Sequence, residues 1–328
     1  MRYSTPERKP QEMAAPNATA EFIPAAHVES SVASLSFHGQ SLEPSTFSNL
    51  VRIPLHTEIA GATIGSTIKY RDDTDLNTST PVILKGGLGA SAELYDECTD
   101  WLADLGWLVV NCGAPRTQDA VHALAPRNLH DALRLQSQAT WSVARSMIVE
   151  GYTDQVTLVG HSMGGAVVVD TATHHPETIA SVLLIASIGF GHSKREATIN
   201  FGKLGLFDIA PELIARALHG DTTIASQALH HTAHNPAQFV LECIGAMGST
   251  VEERVVTLQE QGIPVDTLWF EHDLLFPKKF SQRASKLARS SEIVPNVGHG
   301  ALQLNPSYAA LAIHNALMRS SHWSPTTY

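Results

Sequence analysis

The chain has 328 residues, 43% of them hydrophobic, with 22 Lys and Arg against 32 Asp and Glu for a formal charge of −10. That supplies apolar material for one large domain with an insertion or for two small ones. The acidic balance, with no dense basic stretch, argues against a nucleic-acid partner.

Residues 1–48 are rich in Ala, Ser, Pro, Thr and Glu without sustained periodicity, and are expected to form a mobile arm. The opening MRYSTPERKPQEMAAPNATAEF carries charges and prolines where a secretory leader needs an uninterrupted apolar stretch. The longest apolar run, SVLLIASIGF, is too short to span a bilayer. Cys98, Cys112 and Cys243 are far apart and odd in number, which does not suit a disulfide framework. A cytoplasmic location with no membrane partner is the expectation.

From residue 49 the pattern changes. VRIPLHTEI and TIGSTIKYRD read as two antiparallel strands around a turn at Gly61. An alternation follows: PVILK, WLVVNC, QVTLVG and SVLLIAS as strands, with helices in ASAELYDECTDWLADLG, NLHDALRLQSQATWSVARSMIVEG and GGAVVVDTATHH between them. Short apolar strands alternating with amphipathic helices predict an α/β fold, a mostly parallel sheet flanked by helices. Residues 190–262 break the alternation with four consecutive helices, the last of them VEERVVTLQEQG, and predict a helical cap inserted after the sixth strand. The sheet pattern resumes in VDTLWFE and SEIVPN and ends in the helix SYAALAIHNALMRS. The core is therefore expected at 49–189 and 263–328.

The stretch TLVGHSMGGAV runs from an apolar strand through glycines into a helix. A turn this tight forces Ser162 to positive φ and closes only when the residues two positions to either side, Gly160 and Gly164, lack side chains. It also holds a hydroxyl at a helix N-terminus, where amides and the dipole favour developing negative charge. Gly-His-Ser-Met-Gly thus reads as a nucleophile elbow.

A serine needs a base and an orienting acid, expected downstream in the order acid, then histidine. Among the seventeen histidines, His299 follows the last strand in NVGHGALQLNP and lies on a loop leading into a helix. His314 falls within the last helix and His322 in the tail. Asp273 lies just past the VDTLWFE strand. Asp266 stands at that strand's wrong end, and Glu271 is expected still within it. An oxyanion would take the backbone N–H of Met163 and one from the loop KGGLGAS, with Leu88 the best donor.

GGLGAS, GHSMGG, EHDLLFP and VGHGALQLNP, in this order over residues 50–320, closely resemble the α/β-hydrolase superfamily, in its branch with an inserted cap. The resemblance implies the α/β-hydrolase fold, Ser162 as nucleophile, His299 as base and then acid, Asp273 as orienting carboxylate, and no metal or organic cofactor. It implies a serine hydrolase of a carboxylic ester, lactone or thioester, with alcohol acyl transfer and C–C bond hydrolysis as catalytic alternatives. Two positions depart from the common pattern. Gly86-Gly87 stands where His-Gly is usual, and Asn111-Cys112-Gly113-Ala114-Pro115 replaces an acidic residue with Gly-x-Gly. Apolar residues of the cap, among them Phe201, Leu206, Phe207 and Phe239, point to a small, uncharged, mainly apolar acyl substrate.

Three other readings compete. Gly87-Leu88-Gly89-Ala90-Ser91-Ala92 fits a loose dinucleotide fingerprint, but Asn111 stands where the ribose needs a carboxylate. A small-molecule receptor on a hydrolase scaffold would keep the fold without turnover. His230 and His234 share a helix face in HHTAH, yet no acidic residue with ligand spacing accompanies them.

Overall fold

A computed structural model describes residues 35–37, 40–42, 47–59, 62–76, 79–88, 90–114, 129–191, 251–276 and 278–321. Most of the expected cap, residues 192–250, lies outside these, as do His230, His234, His322 and Cys243.

Eight strands form one sheet: β3 (Leu50–Ile59), β4 (Ala62–Arg71), β5 (Val82–Lys85), β6 (Val109–Cys112), β7 (Val156–His161), β8 (Ile179–Ile185), β9 (Val265–Phe270) and β10 (Ser290–Val294). Their order is β10-β9-β8-β7-β5-β6-β4-β3. The pairs from β10 through β6 are parallel, and β4 joins β6 and β3 antiparallel. Burial explains the two textures. β5, β6, β7 and β9 are buried at every position and read as apolar runs, as strands covered on both faces must. β3, at the edge, mixes buried, partly exposed and exposed positions.

Helices α1 (Asp96–Asp104) and α7 (Pro306–Ser321) pack together. α2 (Leu129–Val149) packs on α3 (Met163–His174), which in turn packs on α4 (Glu252–Glu260). Two shorter helices, α5 (Lys278–Ala284) and α6 (Ala301–Leu304), follow β9 and β10. No described helix is long and apolar enough to cross a membrane. Cys98 and Cys112 are free and buried, and burial pushes both thiols above their ordinary range.

Two stretches differ from the sequence reading. Within the expected arm, β1 (Leu35–Phe37) and β2 (Gln40–Leu42) pair as an antiparallel ribbon, and β1 lies against α7. Phe47 is buried edge-on to Trp101, with ring centroids 5.1 Å apart, so the core begins ahead of residue 49. The last helix assigned to the cap is α4, and it belongs to the core. Val255 and Leu258 are buried, Arg254 pairs with Asp170 of α3, and α4 also touches β9. Sequence periodicity shows that a helix has an apolar face but not what that face covers.

Candidate active site

The chain leaves β5 toward β6 on one side, then crosses back to β7 on the other, so the carboxyl ends of β5 and β7 flank a crevice at a topological switch point. Ser162 follows β7 there and stands at φ 56°, ψ −119°, directly before α3. A residue with a Cβ is held in this region only when its surroundings over-determine it. The glycines show how. A Cβ on Gly160 would meet the Gly164 carbonyl oxygen at 2.5 Å, and one on Gly164 would meet the Lys85 and Gly86 carbonyls at 2.3 and 2.6 Å. The elbow is locked by backbone against backbone.

His299 and Asp273 arrive from the carboxyl ends of β10 and β9. His299 Nδ1–H donates to Asp273 Oδ2 at 2.8 Å, because a carboxylate can only accept. Nε2 stands 3.0 Å from Ser162 Oγ, and in a neutral ring with its hydrogen on Nδ1 it is the acceptor for the hydroxyl. The other oxygen, Asp273 Oδ1, accepts the amides of Leu275 and Phe276, each at 2.8 Å. Ser162, Asp273 and His299 are all buried, and the Phe276 ring packs 5.2 Å from the His299 ring. The competitors lie elsewhere. Asp266 pairs with Arg289 near the start of β9. Glu271 is one residue beyond the strand, exposed, and accepts the Asn296 amide. His272 is exposed, and His314 accepts the Trp107 indole N–H.

The loop after β5 lies against the serine. A Cβ on Gly87 would stand 2.9 Å from Ser162 Cβ and 3.4 Å from Oγ. Leu88 is the next residue along, and Met163, whose amide opens α3, borders Ser162 from the other side. Asn111 is buried and donates to the Ala92 carbonyl and to Asp96 Oδ1, which ties it into the packing under α1.

Two residues that sequence reasoning did not single out complete the surroundings. His161, just before the serine, places Nε2 3.0 Å from the His299 carbonyl and Nδ1 3.0 Å from Tyr95 Oη. Tyr95 Oη accepts the Gly87 N–H at 2.9 Å, and the Gln303 side chain bonds to the same phenol. Burial, then the neighbouring His299, push His161 well below the ordinary histidine range, so its ring is neutral. Desolvation raises the buried Tyr95 phenol. A histidine inside the elbow was visible in the sequence. No spacing linked it to a tyrosine 66 positions earlier.

A family profile described as "Alpha/beta hydrolase family" matches residues 87–311, more than half of the chain. The chain belongs to the alpha/beta hydrolase family. It is a hydrolase built on an eight-stranded, mostly parallel sheet flanked by helices. Among curated proteins it is similar to one from Mycobacterium phage D29 named as a candidate non-heme haloperoxidase, at 24% identity over 258 residues, which covers 74% of this chain and 89% of the relative. Among solved structures it shares its fold with the enol-lactonase from Burkholderia xenovorans LB400, with a TM-score of 0.62 and 13% identity over 80% of this chain and 99% of that one. A membrane phospholipase A described as a bacterial virulence factor aligns with a TM-score of 0.61 and 18% identity, over 84% of this chain and 88% of that one.

Proposed function

We propose that this alpha/beta hydrolase is a serine hydrolase that opens a carboxylic ester, lactone or thioester through an acyl-enzyme. The observation that carries the reading is the unbroken line from Asp273 through His299 to the hydroxyl of a serine held at positive φ. As Ser162 Oγ attacks the carbonyl, its proton passes to His299 Nε2, and Asp273 stabilises the imidazolium that forms. The tetrahedral oxyanion takes the amides of Leu88 and Met163. Leu88 is the natural donor of its loop because the preceding amide, Gly87, is already engaged by Tyr95. On collapse of the intermediate, the C–O or C–S bond breaks and His299 returns its proton to the leaving oxygen or sulfur. Water then attacks the acyl-enzyme with His299 again as base, and Ser162 regains its proton.

The lactonase and the phospholipase A named above are in keeping with an ester or lactone as substrate. The test has two parts. A fluorophosphonate should label the chain once, at Ser162, and multiple turnovers of p-nitrophenyl acetate should be lost by three or more orders of magnitude in Ser162→Ala. Turnover retained in that variant would overturn the assignment.

A further inference from the structure

We infer that Tyr95 and His161 are positioning residues, a hydrogen-bonded tie that sets the oxyanion loop and the histidine loop in register across Ser162. This rests on the serine-hydrolase reading above. The tie has a single donor–acceptor direction. His161 Nε2 faces the His299 carbonyl, which only accepts, so Nε2 carries the hydrogen. In the neutral ring Nδ1 is then an acceptor, and Tyr95 Oη–H donates to it at 3.0 Å. The phenol oxygen in turn accepts the Gly87 N–H. One continuous run of bonds therefore leads from Gly87 through Tyr95 and His161 to the backbone of His299.

The two ends fall where the chain is least able to hold itself. Leu88 follows Gly86-Gly87 and precedes Gly89, and His299 lies between Gly298 and Gly300. Glycine has more backbone freedom than any other residue, so neither segment defines the direction of its amide or imidazole by local preference. The Tyr95 ring also lies on Gly86, where an added Cβ would come within 2.3 Å of it. The phenol thus covers the oxyanion loop as well as bonding to it. Neither Tyr95 nor His161 side chain touches Ser162 Oγ. Their effect passes through the Leu88 amide and the placement of the His299 ring, whose centroid is 4.8 Å from that of His161.

A tie of this kind acts in the transition state, where a misplaced donor matters, and leaves ground-state binding nearly unchanged. Tyr95→Phe keeps the ring and removes the phenol's bonds to Gly87, His161 and the Gln303 side chain. His161→Phe keeps a ring of similar size and removes both bonds of the imidazole. With p-nitrophenyl acetate as probe, each variant should lose about ten- to a hundredfold in kcat, with KM moving less than about twofold. The double variant should lose no more than the worse single one, because the bonds act in series. Losses that multiply in the double variant, or a wild-type kcat in Tyr95→Phe, would overturn the inference. Circular dichroism and Tm establish that each variant is folded. His161→Gln replaces His161→Phe if the latter does not fold, since its amide N–H can still donate to the His299 carbonyl while a carbon stands at the Nδ1 position that accepts from Tyr95. Ser162→Ala is measured alongside. If it stays active, the nucleophile assignment fails. If it is inactive while Tyr95→Phe matches wild type, only the tie fails.

Discussion

Two buried polar networks lie on either side of β6, and they are built on opposite terms. Toward β3 and β4, Lys69 is buried with Nζ 2.7 Å from Asp96 and 2.9 Å from Asp100, while Arg52 pairs with Asp100 at 3.0 Å. Each charge there faces an opposite one, and the backbone of β4 and α1 is regular. Toward β7, the network reaches Ser162 only through His299. It runs from a phenol just ahead of α1 to a neutral imidazole at the end of β7, its two ends lie on glycine-flanked loops, and the serine itself is strained. The first network fastens α1 to the sheet. The second ends in a hydroxyl with a basic nitrogen beside it. In the proposed reading, strain and an open end, more than the number of buried polar groups, set the reacting site apart from a structural clamp.

That contrast can be broken at several points. The largest effect is expected from Asp273→Asn. An amide facing His299 Nδ1 favours the tautomer with hydrogen on Nε2, which cannot take the serine proton, so kcat should fall by roughly three to four orders of magnitude with the fold intact. Near-normal kcat would mean that the line through Asp273 has no role. Gly164→Ala comes next. Its Cβ would press on the Lys85 and Gly86 carbonyls, shifting α3 from the oxyanion loop, with kcat down about a hundredfold and stability lower by about 1–3 kcal/mol. In the charged network, Lys69→Met leaves Asp96 without its cation while Asp100 keeps Arg52. Because the Asp96 side chain is 47% exposed and keeps water, the cost should fall near the lower end of the ~3–5 kcal/mol for a broken buried pair. Its kcat per folded molecule should stay within about twofold, and a tenfold loss well below Tm would erase the distinction between the networks.

The smallest effect concerns pH. The folded state holds His161 neutral below its ordinary range, whereas the unfolded chain protonates it near pH 6.5. Below that pH the unfolded state binds a proton that the folded state refuses, so stability is present above about 6.5 and falls as pH drops. The slope from this one group is at most about 1.4 kcal/mol per pH unit. Denaturation midpoints between pH 7.5 and 5.5 should therefore decline less steeply in a folded His161→Phe than in wild type. Parallel curves would remove His161 as a source.

The sheet and its centre were legible because the physics is local. Parallel strands buried on both faces read as apolar runs, and an elbow at positive φ demands small residues two positions to either side of Ser162. The place of Asp273 was legible for a similar reason, as a carboxylate just beyond the end of β9. What escaped was non-local. The tie from Gly87 to His299 joins four segments with no common spacing, and only folding brings Tyr95 beside His161. The placement of α4 escaped too, since its short apolar face reads the same on a cap as on α3. Phe47 showed no periodicity because a single aromatic anchor has none.

Asp273 is fastened by its own turn. With Oδ1 bonded to the amides two and three residues ahead, the carboxylate owes its place to a local loop and not to the imidazole it serves. In the proposed reaction it would serve as a fixed bearing for the ring. Small swings of the imidazole between nucleophile and departing group would then leave the anchor unmoved, and a single histidine would carry a proton in both directions within one turnover.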